Sequence, residues 1–221
     1  MDGIFSIERI FFTIGGQGIS YLECCAVLFG LTSVLLASFA KVINFYLSFV
    51  YSGLLFMMFL QKHLYTNMLL QPVMLGICVF GIIRWSRPSD NEKNDKNQLM
   101  ITFLSNKQRL IYLLSMGVFI VLWGMFLQRL HTFSQVFPPA QTPYLDAAVA
   151  GLMLCAQILA AQKKWECWVC FLALNIGNII LYLSADLVFM PIVAFCYILF
   201  NVIGVIHWRK EWLKQKEYVK N

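Results

Sequence analysis

Seven apolar stretches, each near the roughly 20 residues that a helix needs to cross a hydrocarbon layer, occupy most of this 221-residue chain. They run over about 20–40, 42–60, 64–85, 109–128, 143–161, 165–184 and 187–208. A backbone in lipid must satisfy its own N–H and C=O groups, so these stretches predict an all-α integral membrane protein. Composition agrees, with 60% of residues hydrophobic and only 13% charged. Short turns separate the stretches, with two exceptions. "SRPSDNEKNDKNQLMITFLSNKQ" reads as a polar loop, and "RLHTFSQVFPPAQT" carries a Pro-Pro breaker.

An odd number of spans places the termini on opposite sides. Of the 17 Lys and Arg residues, only Arg9, Lys62 and Arg129 fall on the N-terminal side, and the other 14 follow spans one, three, five and seven. The positive-inside rule then puts the C-terminus in the cytoplasm and the N-terminus outside. The net charge of +6 is thereby read as topology and headgroup contact, and nucleic acid is not expected as a partner. Seven cysteines lie within apolar segments and act there as small hydrophobes. Cys167 and Cys170 form a C-x-x-C without a second ligand pair, so packing is expected rather than a metal site, and no cofactor is expected. Residues 1–18, with Glu8 and Arg9 between short apolar stretches, read as an amphipathic segment at the interface.

"GIIRW" at 81–85 returns as "GVIHW" at 204–208, an offset of 123 residues. The same offset, without a gap, places Tyr21-Leu22-Glu23 on Tyr144-Leu145-Asp146, Lys41 on Lys164 and Leu64 on Leu187. Colinear span starts, turns and span ends at one offset indicate two copies of a three-helix unit. The chain divides into an interfacial segment (1–18), a first repeat (19–85), a cytoplasmic loop (86–108), a linker helix (109–128), a second repeat (143–208) and a basic tail (209–221). The linker helix restores orientation, so this 3+1+3 arrangement has parallel copies, as in SWEET-type transporters, with substrate expected where the copies meet. Pro72 and Pro191 interrupt the third helix of each copy and read either as hinges or as static kinks. Trp85, Trp165 and Trp208, beside Lys or Arg at the cytoplasmic span ends, read as an aromatic belt, and the two glycines of the repeated phrase as sites of close packing.

Polar side chains of membrane helices face the bundle. Asn44, Gln71, Gln157, Asn175, Asn178 and Asn201, with Tyr46, Tyr51 and Tyr197, are therefore interior candidates, either as glue between helices or as substrate contacts. Trp168, one turn deeper than Trp165, is placed to stack on a ligand ring. Glu23 and Asp146 fall near the outer ends, where they read as interfacial carboxylates or as attractors of a cation. No Lys, Arg or ionised acid is expected mid-span, which argues against ion coupling and for passive movement of a polar organic solute. Neither a H-E-x-x-H, a G-x-S-x-G nor a mid-span carboxylate pair is present, so an enzyme is not expected. A packed scaffold without a transport cavity has the same hydropathy profile and remains the alternative of another class.

The pattern "YLECCAVLFGLTSVLLASFAKVINFYLSFV", then "LYTNMLLQPVM" with "GIIRWSRP", then "TPYLDAAVAGLMLCAQILAAQKKWECWVCFLALNI" closing on "HWRKEW", resembles the PnuC family of bacterial vitamin transporters over roughly 20–212. The resemblance implies a homotrimer in the bacterial inner membrane and facilitated diffusion of a small cationic vitamin or nucleoside. In the best-known members this is nicotinamide riboside, trapped inside by phosphorylation, while relatives carry thiamine or riboflavin. The family's W-x-x-W motif falls on Trp168 and Phe171, its third-span glutamine on Gln71, its span-six amide on Asn175 and its span-two asparagine on Asn44. A family tyrosine is Ala194 here, and a family glycine is Ser48. The substrate-binding set expected on both grounds is Trp168, Phe171, Gln71, Asn175, Asn44, Asn178, Asn201 and Tyr197.

Overall fold

A computed structural model describes residues 6–62, 65–94, 97–133, 142–184 and 188–218. Seven α-helices occur among them: α1 (Tyr21–Ser38), α2 (Ile43–Gln61), α3 (Tyr65–Ser86), α4 (Asn106–Phe133), α5 (Pro143–Ala161), α6 (Cys167–Ser184) and α7 (Phe189–Tyr218). Six are long and apolar enough to cross a membrane, and α6 is apolar over the shorter stretch Cys167–Ile180. Each helix lies on an expected span. The Pro-Pro breaker and the Leu64–Leu187 pair lie outside the described residues.

Helix α7 runs about ten residues beyond the apolar stretch, so the described part of the basic tail is its last turns. "RKEWLKQKEY" consists largely of good helix formers, Lys214 pairs with Glu211 at 2.8 Å and Lys216 covers the Trp212 ring at 4.1 Å. At the other end of the bundle the N-terminal segment is a hairpin, β1 (Ile10–Ile14) and β2 (Gln17–Ser20). Its two-residue turn is Gly15-Gly16, both at positive φ, the pairing that a tight hairpin favours. Ser20 then caps α1 in a reciprocal box with Glu23, and Lys62 from the end of α2 pairs with the same carboxylate. Glu23 is thus committed to structure, while Asp146 stays exposed, with the Thr142 hydroxyl 3.5 Å away as its side-chain partner among the described residues.

Helices α1 to α3 pack in sequence, as do α4 to α7, and the two halves meet through α1 against α7 and α3 against α5. Contacts at the 123-residue offset match in detail. Helix α1 ends in a turn with Ala40 at φ 54°, and α5 ends in one with Lys163 at φ 56°. In both, the chain closes by the paired bonds of a Schellman motif: Ala40 N–H to Ala37 O (2.9 Å) and Lys41 N–H to Leu36 O (3.0 Å), then Lys163 N–H to Ala160 O (2.9 Å) and Lys164 N–H to Leu159 O (2.8 Å). Phe45 lies over Gly81 and meets the Trp85 ring edge-on at 5.0 Å; Trp168 lies over Gly204 and meets Trp208 edge-on at 5.3 Å. A Cβ on Gly204 would sit 2.5 Å from the Trp168 ring, so each glycine is the space its aromatic partner occupies.

The two tryptophans of the repeated phrase are not a headgroup belt. Trp85 and Trp208 are 4% and 1% exposed, their rings 5.9 Å apart, and each indole donates across the bundle: Trp85 Nε1 to Ala161 O (3.0 Å) and Trp208 Nε1 to Ala37 O (3.1 Å). The helix-end carbonyls left by α1 and α5 supply the acceptors that draw both indoles inward. Trp165 is half-buried and donates to Val205 O.

The loop 86–108 is only partly the polar linker that its composition suggests. Within it, "LMITFL" (99–104) packs onto this end of the bundle, with Leu99, Ile101 and Leu104 buried in the cluster that holds Phe45, Trp85, Trp168 and Trp208. An apolar run inside a charged loop is the signal, and burial of those three side chains is its cause. Charged residues hold the rim: Arg84 donates to Glu92 at 2.5 Å, keeping that carboxyl below its ordinary range, and Arg109 pairs with Glu166 at 3.0 Å.

Candidate functional site

A cavity lies where the two halves meet, toward the end of the bundle that carries most of the cations. Its lining falls into pairs at the 123-residue offset: Val34 with Gln157, Ala37 with Ala160, Ser48 with Phe171, and Trp85 with Trp208, completed by Ser33, Asn44 and Trp168. Paired positions, unequal chemistry: α1 and α2 supply hydroxyls and an amide where α6 and α7 supply rings. No charged side chain is among the lining residues.

Its polar wall is ordered by internal bonds. Ser33 Oγ donates to Asn44 O (2.9 Å), which leaves the Ser48 hydroxyl to donate to Ser33 Oγ (2.5 Å). One N–H of Asn44 Nδ2 donates to Lys41 O at 2.5 Å, in the turn before α2. Ser48 Oγ and Asn44 Oδ1 keep acceptor capacity, so this wall can receive donors from a ligand. Opposite them, Trp168 is 1% exposed and its Nε1–H has no partner. A buried N–H without an acceptor costs about 1–3 kcal/mol, so it marks a place for a ligand acceptor. Asn201 Nδ2, one helical turn from Gly204, is the other such atom among the described residues. The cavity is contracted to about 20 Å³, room for one water, so a larger ligand requires the walls to part.

Of the eight expected residues, Trp168, Phe171 and Asn44 line this cavity, and Trp168 and Phe171 stand 6.0 Å apart at a tilt of 54°. The other five do not line it. Gln71 is buried but donates to its own helix at Asn67 O (3.2 Å), and Asn175 likewise to Phe171 O (2.8 Å). Tyr197 and Tyr51 share a hydrogen bond beside Gly30, which has no Cβ and so admits the Tyr197 hydroxyl. Asn178 is half-buried on α6, and Asn201 is buried on α7. Tyr46, expected inside, is 53% exposed because α2 turns its neighbours Asn44, Phe45 and Ser48 inward instead. Pro72 lies well inside α3, where it removes a backbone bond; Pro191 lies in the first turn of α7, where none is lost. Gln157, an interior candidate from sequence, also lines the cavity, with Ser33, Ser48, Trp85 and Trp208 and the small apolar Val34, Ala37 and Ala160; no spacing rule separates those serines and tryptophans from packing residues before the helices are brought together.

Lys163 closes one end. It is 3% exposed, donates from Nζ to Leu99 O at 2.7 Å and lies 4.6 Å over the centroid of Trp85, a cavity-lining ring. Burial pushes its ammonium down to about 8, against a weaker upward pull from Glu211.

A multi-pass helical bundle with an occluded, uncharged, half-aromatic cavity between its halves defines the class of membrane transporters for small organic solutes. A family profile described as "Nicotinamide mononucleotide transporter" matches residues 20–210. The chain belongs to that family, whose relatives bear the name PnuC. It is 26% identical over 200 residues to the nicotinamide riboside transporter PnuC of Escherichia coli (strain K12), covering 80% of this chain and 82% of that one, and equally to the PnuC of Shigella flexneri. Its fold is similar to the crystal structure of the vitamin B3 transporter PnuC, with a TM-score of 0.70 at 18% identity, covering 88% of this chain and 83% of that chain. Relatives named as transporters place the chain outside the enzymes.

Proposed function

We propose that the chain carries nicotinamide riboside across the bacterial inner membrane by facilitated diffusion, with the central cavity as its substrate site. The observation that carries this reading is the division of that cavity: tryptophan rings and Phe171 on one wall, Ser33, Ser48 and Asn44 on the other, and no charge between. A flat cationic ring is attracted to an aromatic face by about 0.5–2 kcal/mol. Ribose hydroxyls supply the donors that Ser48 Oγ and Asn44 Oδ1 can accept, and the carboxamide oxygen is an acceptor for Trp168 Nε1. A phosphate dianion finds no partner in such a lining, which favours the riboside over the mononucleotide.

The architecture in this reading is seven spans arranged 3+1+3, supported by the paired contacts at the 123-residue offset and by α1–α7 and α3–α5 packing. The C-terminus lies in the cytoplasm, so the end closed by Lys163 faces inward. Uptake is made one-way by phosphorylation of the riboside inside, and the protein assembles as a homotrimer, as the resemblance implies. Pro72 is the hinge in α3, and Gln71, Asn175, Asn178, Asn201 and Tyr197 reach the substrate as the contracted cavity opens. Proteoliposome uptake tests the reading: labelled nicotinamide riboside enters saturably without sodium or a proton gradient, and excess thiamine or riboflavin competes weakly. Equal indifference to all three compounds overturns it.

A further inference from the structure

We infer that residues 98–105 form a gate strap across the charged end of the cavity and that Lys163 is the latch that holds it closed. The inference rests on membrane transport by this chain, not on the identity of its cargo.

Leu99, Ile101 and Leu104 seat the strap on the same apolar cluster as the cavity tryptophans, and Phe103 stacks on Trp165 at 5.2 Å. The strap bonds back to its own loop through Met100 N–H to Glu92 O (2.8 Å), and across the bundle it is fastened to the second half. Thr102 N–H donates to Lys163 O (3.2 Å), Trp165 N–H to Thr102 O (3.0 Å), and Leu104 N–H to the Glu166 carboxylate (3.0 Å). These bonds run to the short α5–α6 turn, so strap and turn form one unit. Lys163 ties the strap itself to the cavity wall through a polar contact, because its Nζ bridges Leu99 O and the face of Trp85, beside the Trp85 bond to Ala161 O at the end of α5.

Two further observations separate a latch from ordinary loop packing. Lys163 buries an ammonium at a left-handed turn position whose counterpart, Ala40, carries only a methyl group, a cost with no return unless the side chain is used. The cavity behind it is too small for a nucleoside, so passage at this end requires Trp85 and Trp208 to separate, and the strap lies on them. A substrate bearing a cationic ring competes with the Lys163 ammonium for the Trp85 face, which couples loading to release of the latch.

Two experiments on the full chain test this. In hydrogen–deuterium exchange of the reconstituted protein, which needs no cargo, Lys163→Met speeds exchange over 98–105 about tenfold relative to α2, and Lys163→Arg restores protection. In the second, Thr102→Cys with Lys164→Cys, a pair already bridged between strap and turn, serves as a control that leaves uptake intact when cross-linked, since the unit moves together. Ile101→Cys with Ile82→Cys, which share one apolar cluster and do not line the cavity, cross-linked by a short reducible methanethiosulfonate reagent, ties strap to the wall helix α3 and lowers uptake at least about tenfold, with recovery on reduction. Unchanged exchange in Lys163→Met, or undiminished uptake with strap and wall joined, overturns the inference.

Discussion

The turns that end α1 and α5 share one backbone and carry different side chains at its left-handed position: Ala40 in the first half, Lys163 in the second. The first is a plain chain reversal. The second reaches 2.7 Å from Leu99 O and covers Trp85, turning a helix cap into a closure. The cavity repeats the lesson, since Ser48 faces Phe171 and Phe45 corresponds to Trp168 at the same offset. Matched backbones give a site its position, and mismatched side chains give it a polar wall and an aromatic wall.

Breaking the aromatic wall has the largest expected effect. Trp168→Ala lowers riboside affinity at least about 30-fold, through loss of the ring face and its N–H. Phe45→Ala, at the corresponding position, costs about 3–5 kcal/mol of stability through the cavity it leaves, with affinity of the folded fraction within about threefold. Thermal unfolding beside titration calorimetry separates the two outcomes. Smaller is the effect of filling the glycine spaces. Gly81→Ala and Gly204→Ala each destabilise by about 1–3 kcal/mol by overpacking, but only Gly204→Ala, by driving Trp168 into the cavity, also weakens binding.

The Lys163 ammonium gives a pH signature. Its value falls from 10.5 to about 8 in the folded chain, so between those limits the unfolded chain holds more protons. Folded stability therefore rises as pH goes from about 8 toward 10.5 and is flat below, and Lys163→Met removes that rise. Melting of wild type and variant in parallel across this window isolates the contribution. The smallest effect belongs to Ala40→Gly, which relieves left-handed strain and stabilises by no more than about 1 kcal/mol, offset by greater freedom of the unfolded chain.

The helices were legible because span length and a polar-group-free core leave a lipid-bound chain few choices, and their limits follow the apolar stretches closely. Trp168, Phe171 and Asn44 were legible as residues of the cavity wall through their inward positions and the family motif. Trp85 and Trp208 were misread, since a tryptophan beside cations at a span end looks the same in sequence whether it faces headgroups or donates to a carbonyl across the bundle. That acceptor, Ala161 O or Ala37 O, belongs to the other half and has no sequence signal. Lys163 was hidden for the same reason: counted among inner cations, it is committed to Leu99 O by a loop whose apolar run was outweighed by the charges around it. Gln71 and Asn175 satisfy their amides within their own helices, which inward placement could not reveal.

Titration calorimetry of the purified protein with nicotinamide riboside and with nicotinamide mononucleotide tests the uncharged cavity most directly. The riboside is expected to bind saturably, one per chain, and the mononucleotide at least about 100-fold more weakly, because its phosphate has no partner in the lining. Equal binding of the two, or no binding of the riboside, would contradict the assignment of this cavity as the transport site.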